Sequence, residues 1–420
     1  MHPSYTTKAT GHYSLKNVRL ETGFEYDQQD VIRTKTDLFC IEIDHGNIKT
    51  IQTNCPNAEA IDAEGRLLLP ACRDMHVHLD KTLYGLPWQA HSPKLKTVKE
   101  MIAHEQKIIP MLLKTSTARA EQLIGLLQRY GTTFARTHVN IDPTSGLESL
   151  EHLMQALVNK NHTFEAELVA FPQHGLYYTD SAPLMREAAK VKNIGFIGGL
   201  DPFSIDGNIK KPIDFTVQLA LDHHKGIDIH LHEPGESGIK TIHYLIEKAV
   251  ENPQLQGKTF ISHAFALAYL SSKETEEIAE KLADAQVGIA TSVPFRGTIM
   301  PIPTLKKYGV QVLVGNDNVQ DHWSTFGSGN MLQKANLIAQ LYGYETEFEL
   351  SRALQFATQQ TLPLDDEGNQ QWPKVGDEAT AILVDASCSA EAVSRIATVK
   401  ALINKGNLSA AHQIPFEGLA

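Results

Sequence analysis

The chain has 420 residues, 42% of them hydrophobic and 21% charged, with a formal charge of −11. This is ordinary globular composition, which excludes wholesale disorder. The acidic balance argues against a nucleic-acid or anionic-membrane binder, which would carry a basic face.

The length allows two or three ordinary domains, or one α/β barrel of about 250 residues with a smaller companion. The opening stretch, MHPSYTTKATGHYSLKNVRL, has no apolar h-region, so no secretory signal is expected. No run approaches the roughly 20 apolar residues of a bilayer span. Residues 12–66 hold short strand-like runs (YSLKNVRLE, LFCIEID, NIKTIQT) broken by turns at HGN and AEG.

From residue 67 the pattern changes. Eight β-branched or apolar runs follow, at 67–79, 132–140, 164–172, 194–200, 226–232, 258–264, 286–292 and 310–317. Amphipathic helical stretches lie between them, at 96–114, 149–159, 212–225 and 240–250 among others. In the last of these, Ile242, Leu245, Ile246 and Ala249 form one apolar stripe. Strand–helix alternation implies parallel strands with right-handed crossovers. An open doubly wound sheet would normally show a Gly-rich phosphate loop after its first strand. Here the first run leads into HVHLDKTLYG, which is no such loop. Residues 375–407 return to short strands (VGDEATAILVD, IATVKALINKGN). The expected architecture is a (β/α)8 barrel over 67–360, with a small β-sandwich built from 1–66 and 361–420.

The four cysteines, Cys40, Cys55, Cys72 and Cys388, form no C-x-x-C pair. A disulfide scaffold or thiolate zinc site is therefore not expected, and a reducing cytoplasm suits the chain. Histidine, at 19, is the unusual count. Barrel active sites sit at the C-terminal ends of the strands, and that is where several histidines fall. The first run ends in His76-Val77-His78, and alternation points both imidazoles to one side. Two such nitrogens can chelate one divalent metal. The fifth run ends in His230-Leu231-His232-Glu233, the sixth in Ser262-His263 and the eighth in Asn316-Asp317-Asn318. Each has a plainer alternative: His230 as a satisfied core histidine, Asp317 as a turn residue, Glu233 as a helix N-terminal carboxylate. The joint placement on four strands favours a site. His104, His152, His223, His224 and His243 lie on helices and read as solvated faces.

These motifs, with RTHVNI (136–141), VAFPQHG (169–175), GGLDP (198–202) and NDNVQDHWSTFGSGNML (316–332), resemble the amidohydrolase superfamily. The closer resemblance is to its cytosine deaminase branch, and the chain is also similar to the s-triazine (N-isopropylammelide) aminohydrolases. The resemblance implies one divalent metal, iron or zinc, held by His76, His78, His230 and Asp317. Binuclear members carry a strand-four lysine, whereas strand four here reads IGFIGGLDP. It further implies a metal-dependent hydrolytic deaminase. A metal-activated hydroxide attacks a C=N carbon of a small heterocycle, with a cytosine-like pyrimidine as the leading substrate and an s-triazine as the alternative. Asp317 would take the water proton, Glu233 would shuttle it to ring and leaving amine, and His263 would orient the hydroxide.

Gln173, with its donor and acceptor, would meet the ring amide edge, and Trp323 would wall the ring. His174, His232 and Asn318 stand where cytosine deaminases show acidic residues, so they mark the substrate contacts that differ. A cyclic amide hydrolase and a catalytically silent relative are the other-class alternatives. Nucleic-acid deamination is disfavoured by the charge. The expected partner is a small heterocycle, with neither nucleic acid nor membrane, and the resemblance adds a possible homo-oligomer.

Overall fold

The computed structural model describes residues 9–53, 59–90, 97–160, 163–293 and 297–414. Strands β1 (His12–Asp27), β2 (Asp30–Asp44), β3 (Asn47–Thr53), β4 (Ile61–Asp62) and β5 (Leu67–Pro70) come from the N-terminal part. Eight strands follow: β6 (Cys72–Val77), β7 (Thr132–Asn140), β8 (Glu165–Phe171), β9 (Ile194–Leu200), β10 (Gly226–His230), β11 (Thr259–Ser262), β12 (Val287–Thr291) and β13 (Val312–Val314). β14 (Ala381–Val384), β15 (Val399–Asn404) and β16 (Asn407–Ala410) complete the set.

The terminal strands form one sheet in the order β16-β15-β14-β5-β1-β2-β3, with β4 beside β1. Strands from both chain ends meet where β5 pairs antiparallel with β14. Leu15, Val18, Ile41, Ile43, Leu68, Leu383 and Ile403, drawn from both ends, share one buried cluster. The β2–β3 turn explains part of this register. His45 (φ 46°) and Gly46 (φ 86°) are both left-handed, which is the twist a two-residue hairpin requires.

Strands β6 to β13 lie side by side in chain order. Each observed ladder from β8 onward is parallel; His230, for example, pairs with Leu200 on one side and Ser262 on the other. A bridge from Val77 to Asp317 joins the last strand's end to the first, which closes the barrel. Glycine permits one close approach inside it: a Cβ at Gly198 would lie 2.8 Å from the Ala170 carbonyl and 3.2 Å from Phe171 Cα.

All eight barrel runs expected from the sequence form strands. One expectation needs correction. The run 67–79 is not a single strand: Leu67–Pro70 pairs with β14 in the terminal sheet, and the barrel strand starts at Cys72. Proline lacks the N–H that would continue a ladder, and Pro70 ends its strand. By contacts, one unit comprises the described parts of Met1–Asp74, Ile124–Phe134 and Gly329–Glu417, and the other those of Met75–Leu123 and Ala135–Ser328. The sheet unit therefore starts its C-terminal share before residue 361. Its helices are tied to it by polar bonds: Thr34 N–H donates to Glu347 Oε1 (2.9 Å), and Asn336 Nδ2 donates to the Val393 carbonyl (3.0 Å).

Cys40, Cys72 and Cys388 are buried, and Cys55 lies outside the described residues. Among the described residues, no helix is long and apolar enough to cross a membrane.

Candidate metal and active site

The C-terminal ends of the barrel strands carry the polar cluster, which lies within the barrel unit. His76 and His78 flank Val77 at the end of β6, and alternation sends both rings inward, where they are buried. Asp317 meets them from beyond β13. Its Oδ1 lies 3.3 Å from His76 Nε2 and 3.3 Å from His78 Nε2. His230, at the end of β10, places Nε2 3.4 Å from His78 Nε2. His263 joins them: one ligand atom each from His76, His230, His263 and Asp317 lies within 4.8 Å of every other.

These spacings suit a divalent ion. A tetrahedral zinc-type site with bonds of about 2.05 Å has ligand–ligand edges of roughly 3.3 Å. The donor set of imidazoles and one carboxylate matches zinc or iron. Nδ1 of His78 and of His230 is buried with no hydrogen-bond partner, and their Nε2 atoms face each other across 3.4 Å. Burial holds His230 and His263 well below the usual imidazole range and His78 down to about 3, so all three stay neutral, the form that binds metal.

The backbone is strained where these side chains are aimed. His263 (φ 71°) and Asp317 (φ 63°) occupy the left-handed region, which costs a non-glycine residue on the order of 1–3 kcal/mol. Neighbouring strands hold them there. Asp317 N–H donates to the His76 carbonyl (2.7 Å), and His263 N–H donates to the Ala290 carbonyl (2.7 Å).

A relay below the cluster orients His76. Ser262 Oγ donates to Asp228 Oδ1 (2.5 Å) and lies 3.0 Å from His76 Nδ1. Because the hydroxyl proton is used on Asp228, Ser262 accepts from His76 Nδ1–H, which leaves the Nε2 lone pair facing the Asp317 side of the cluster. Arg136 Nη1 completes the floor, 3.3 Å from Asp228 Oδ2. Ser262→Ala is expected to weaken metal affinity about 10–100-fold with the fold retained, measured by competition with a chelator. Unchanged affinity would remove the relay from the account.

Glu233 lies three residues past His230 and is buried. Its Oε1 accepts from the Phe203 and Ser204 amides (2.9 and 2.8 Å), while Oε2 is buried with no hydrogen-bond partner. Burial pushes its carboxyl above the usual range, opposed by the Ser204 amide and assisted by nearby Asp201. One oxygen is thus fixed and the other is available for proton traffic.

The residues assigned to substrate from sequence separate into three places. Gln173 Oε1 accepts from the Lys81 ammonium. His174 is fully buried between two carboxylates, Asp142 (3.1 Å from Nδ1) and Glu105 (3.3 Å from Nε2). Burial alone would lower its pKa, but these two partners push it up to about 9, so it is an imidazolium. Trp323 donates Nε1–H to Glu105 Oε2 (3.1 Å), leaving its ring face beside the apolar cluster of Ile102, Phe171, Leu200 and Ile205. His232 pairs Nδ1 with Asp201 Oδ2 (2.8 Å) and stacks on His263 with ring centroids 4.5 Å apart. Asn318 Oδ1 is buried with no hydrogen-bond partner.

Sequence reasoning missed several members of this site. His138, on β7, is fully buried with its ring 4.3 Å from His76 and 4.5 Å from His230. Glu105 sits on α1 (Val98–Leu112) and gathers His174, His322, Trp323 and Asn140. Lys81 lies inside HVHLDKT itself. His138 and Lys81 were within the quoted motifs, whereas Glu105 gave no signal.

A parallel barrel with an imidazole–carboxylate cluster at its mouth defines the class of barrel metallohydrolases. The Amidohydrolase family model matches residues 117–362, and the chain belongs to that family. It is 48% identical over 402 residues to the uncharacterized protein YahJ of Escherichia coli K12, covering 94% of this chain and 87% of that one. It is 26% identical over 299 residues to N-isopropylammelide isopropyl amidohydrolase of Pseudomonas sp. strain ADP, covering 70% and 73%. Among solved structures, N-isopropylammelide isopropylaminohydrolase of Burkholderia multivorans superimposes with a TM-score of 0.81 at 28% identity, covering 95% of this chain and 98% of that one. The 5-methylcytosine deaminase of Klebsiella pneumoniae gives 0.77 at 23% identity, covering 97% and 99%, which is a likeness of fold.

Proposed function

We propose that the protein is a metal-dependent aminohydrolase that replaces the exocyclic amine on a C=N carbon of a small oxo-heterocycle with oxygen. The observation that carries the reading is the convergence of His76, His78, His230 and Asp317 at 3.3–3.4 Å, with the half-anchored carboxylate of Glu233 three residues from His230. The relatives named for N-isopropylammelide support an s-triazine of ammelide type, and a cytosine-type pyrimidine offers the same reacting carbon.

One divalent ion, iron or zinc, would be held by His76, His78, His230 and Asp317. It supplies Lewis-acid chemistry that makes hydroxide available near neutral pH. The chain's own residues do the rest. Asp317, an ionised carboxylate despite its burial, accepts the proton of the attacking water. Glu233 delivers a proton through Oε2 to the ring nitrogen, which lets the carbon accept the nucleophile. As the C=O forms, Glu233 takes up the proton of the added hydroxyl and passes it to the departing amine, and the proton held by Asp317 restores the acid form of Glu233. Burial keeps part of its population protonated above the usual carboxylate range, as an acid working near neutrality needs. His263, neutral and beside the cluster, steadies the tetrahedral state. Phe171, stacked on His230 with centroids 4.1 Å apart, and Trp323 flank a flat ring and exclude water.

The test is amine release from a panel of aminopyrimidines and amino-s-triazines by protein loaded with iron or with zinc. Release of ammonia or an alkylamine from at least one member is expected. Metal-loaded protein that is inert toward every aminated ring, yet opens a cyclic amide, would overturn the reading.

A further inference from the structure

We infer that the pocket selects a heterocycle presenting an anionic, acceptor-only edge, such as a ring imide in its deprotonated form, and that Lys81 with Gln173 makes this selection. The inference rests on the aminohydrolase reading and names the ring chemistry that site would take.

Lys81 is buried, 4% exposed, on the segment that follows β6. That segment is fixed by its neighbours: Thr82 Oγ1 donates to the Val319 carbonyl (2.9 Å), and Leu83 N–H donates to the Gln320 carbonyl (2.7 Å). The ammonium donates to Gln173 Oε1 and lies 3.5 Å from Asn140 Oδ1. It stands 5.7 Å from the Phe171 ring centroid and 5.6 Å from that of Trp323. The Phe171 ring in turn lies 4.1 Å from the His230 ring and 5.7 Å from the His78 ring. The cation is therefore one aromatic ring away from the metal cluster.

Among the described residues, Lys81 forms no ion pair with a carboxylate. Asp80, Glu105 and Asp321 all feel its charge without pairing with it, and Glu105 spends both oxygens elsewhere: Oε1 on Asn140 and His322, Oε2 on Trp323 and His174. A buried ammonium without a contacting anion is costly, and an anionic ligand relieves that cost. The ammonium also has three protons and two neutral partners.

Gln173 points the same way. With Oε1 bonded to Lys81, its amide offers the two Nε2 protons and one remaining lone pair on Oε1. An ammonium can bond only to the oxygen end, so this orientation of the amide is fixed. The wall formed by Lys81 and Gln173 therefore offers more donors than acceptors. A neutral cytosine-type edge, with adjacent C=O and N–H, needs one of each. A deprotonated N–C=O edge supplies two acceptors and a negative charge in contact with the ammonium.

Calorimetric titration of the metal-loaded protein with barbiturate and with uracil near pH 7 tests this, because the two rings match in size and only barbiturate is anionic there. Barbiturate is expected to bind about tenfold tighter or better. Lys81→Met is expected to bring the two affinities within about threefold while metal content stays unchanged. Gln173→Glu, which sets a carboxylate beside the ammonium, is expected to erase the preference as well. Equal or tighter binding of uracil to the unmodified protein overturns the inference, and so does a preference that survives in folded Lys81→Met. The two proposals fail separately. Preference for barbiturate without amine release from any ring sinks the aminohydrolase reading and supports this one. Amine release from neutral rings without anion preference does the reverse.

Discussion

Asp317→Asn is expected to lower kcat by at least about 10³-fold and to reduce bound metal, because in the proposed mechanism it removes a ligand charge and the water's base together. The reason for choosing Asn is geometric. Asp317 holds φ at 63°, and Asn tolerates that region better than most residues, so the substitution adds little backbone strain. The side chain keeps an oxygen to accept from Ser292 Oγ, at 3.4 Å in the native protein. Circular dichroism should therefore match the native protein while metal analysis and turnover do not. Native metal content together with native turnover in this variant would contradict the assignment of Asp317.

Glu233→Gln separates proton transfer from metal binding. The amide can still accept from the Phe203 and Ser204 amides through its oxygen, so local structure and metal content should persist. What is lost is the transferable proton at Oε2. A general acid–base residue contributes about 10²–10⁴ in rate, which is roughly 2.7–5.4 kcal/mol of barrier. The pH profile adds a second signature. Burial raises the Glu233 carboxyl, and the acid step needs the protonated form, so native kcat/KM should fall as pH rises through that raised pKa. Glu233→Gln should remove that descent and leave a flat, low profile. A variant with the native rate or the native alkaline limb would show that another group carries the proton.

Much of the fold was legible because its signals are local. Eight apolar runs with helical stretches between them specify parallel strands, and histidines at strand ends fall where a barrel gathers its site. The split of the first run was harder to read. Leu67–Pro70 and Cys72–Val77 form an almost continuous apolar stretch, and only the pairing of the former with β14, more than three hundred residues on, assigns it to a different sheet.

The site divides the same way. His76, His78, His230 and Asp317 each sit at the end of a recognisable strand. By contrast, His174 is committed to Asp142 and Glu105, and His232 to Asp201. Neither partner follows from a local pattern, because Asp142 and Asp201 follow the ends of other strands and Glu105 lies on α1. Lys81 and Glu105 show the same limit: a lysine and a helical glutamate normally read as solvated, and only tertiary packing reveals that both are buried.

The proposed reaction is hydrolysis of an exocyclic C–N bond of a ring. Mass spectrometry of the product formed in ¹⁸O-labelled water, using whichever ring the protein consumes, tests it most directly. The account predicts an intact ring that has lost its amine and gained one labelled oxygen at the same carbon. A ring-opened product that keeps every nitrogen and adds one water would contradict it.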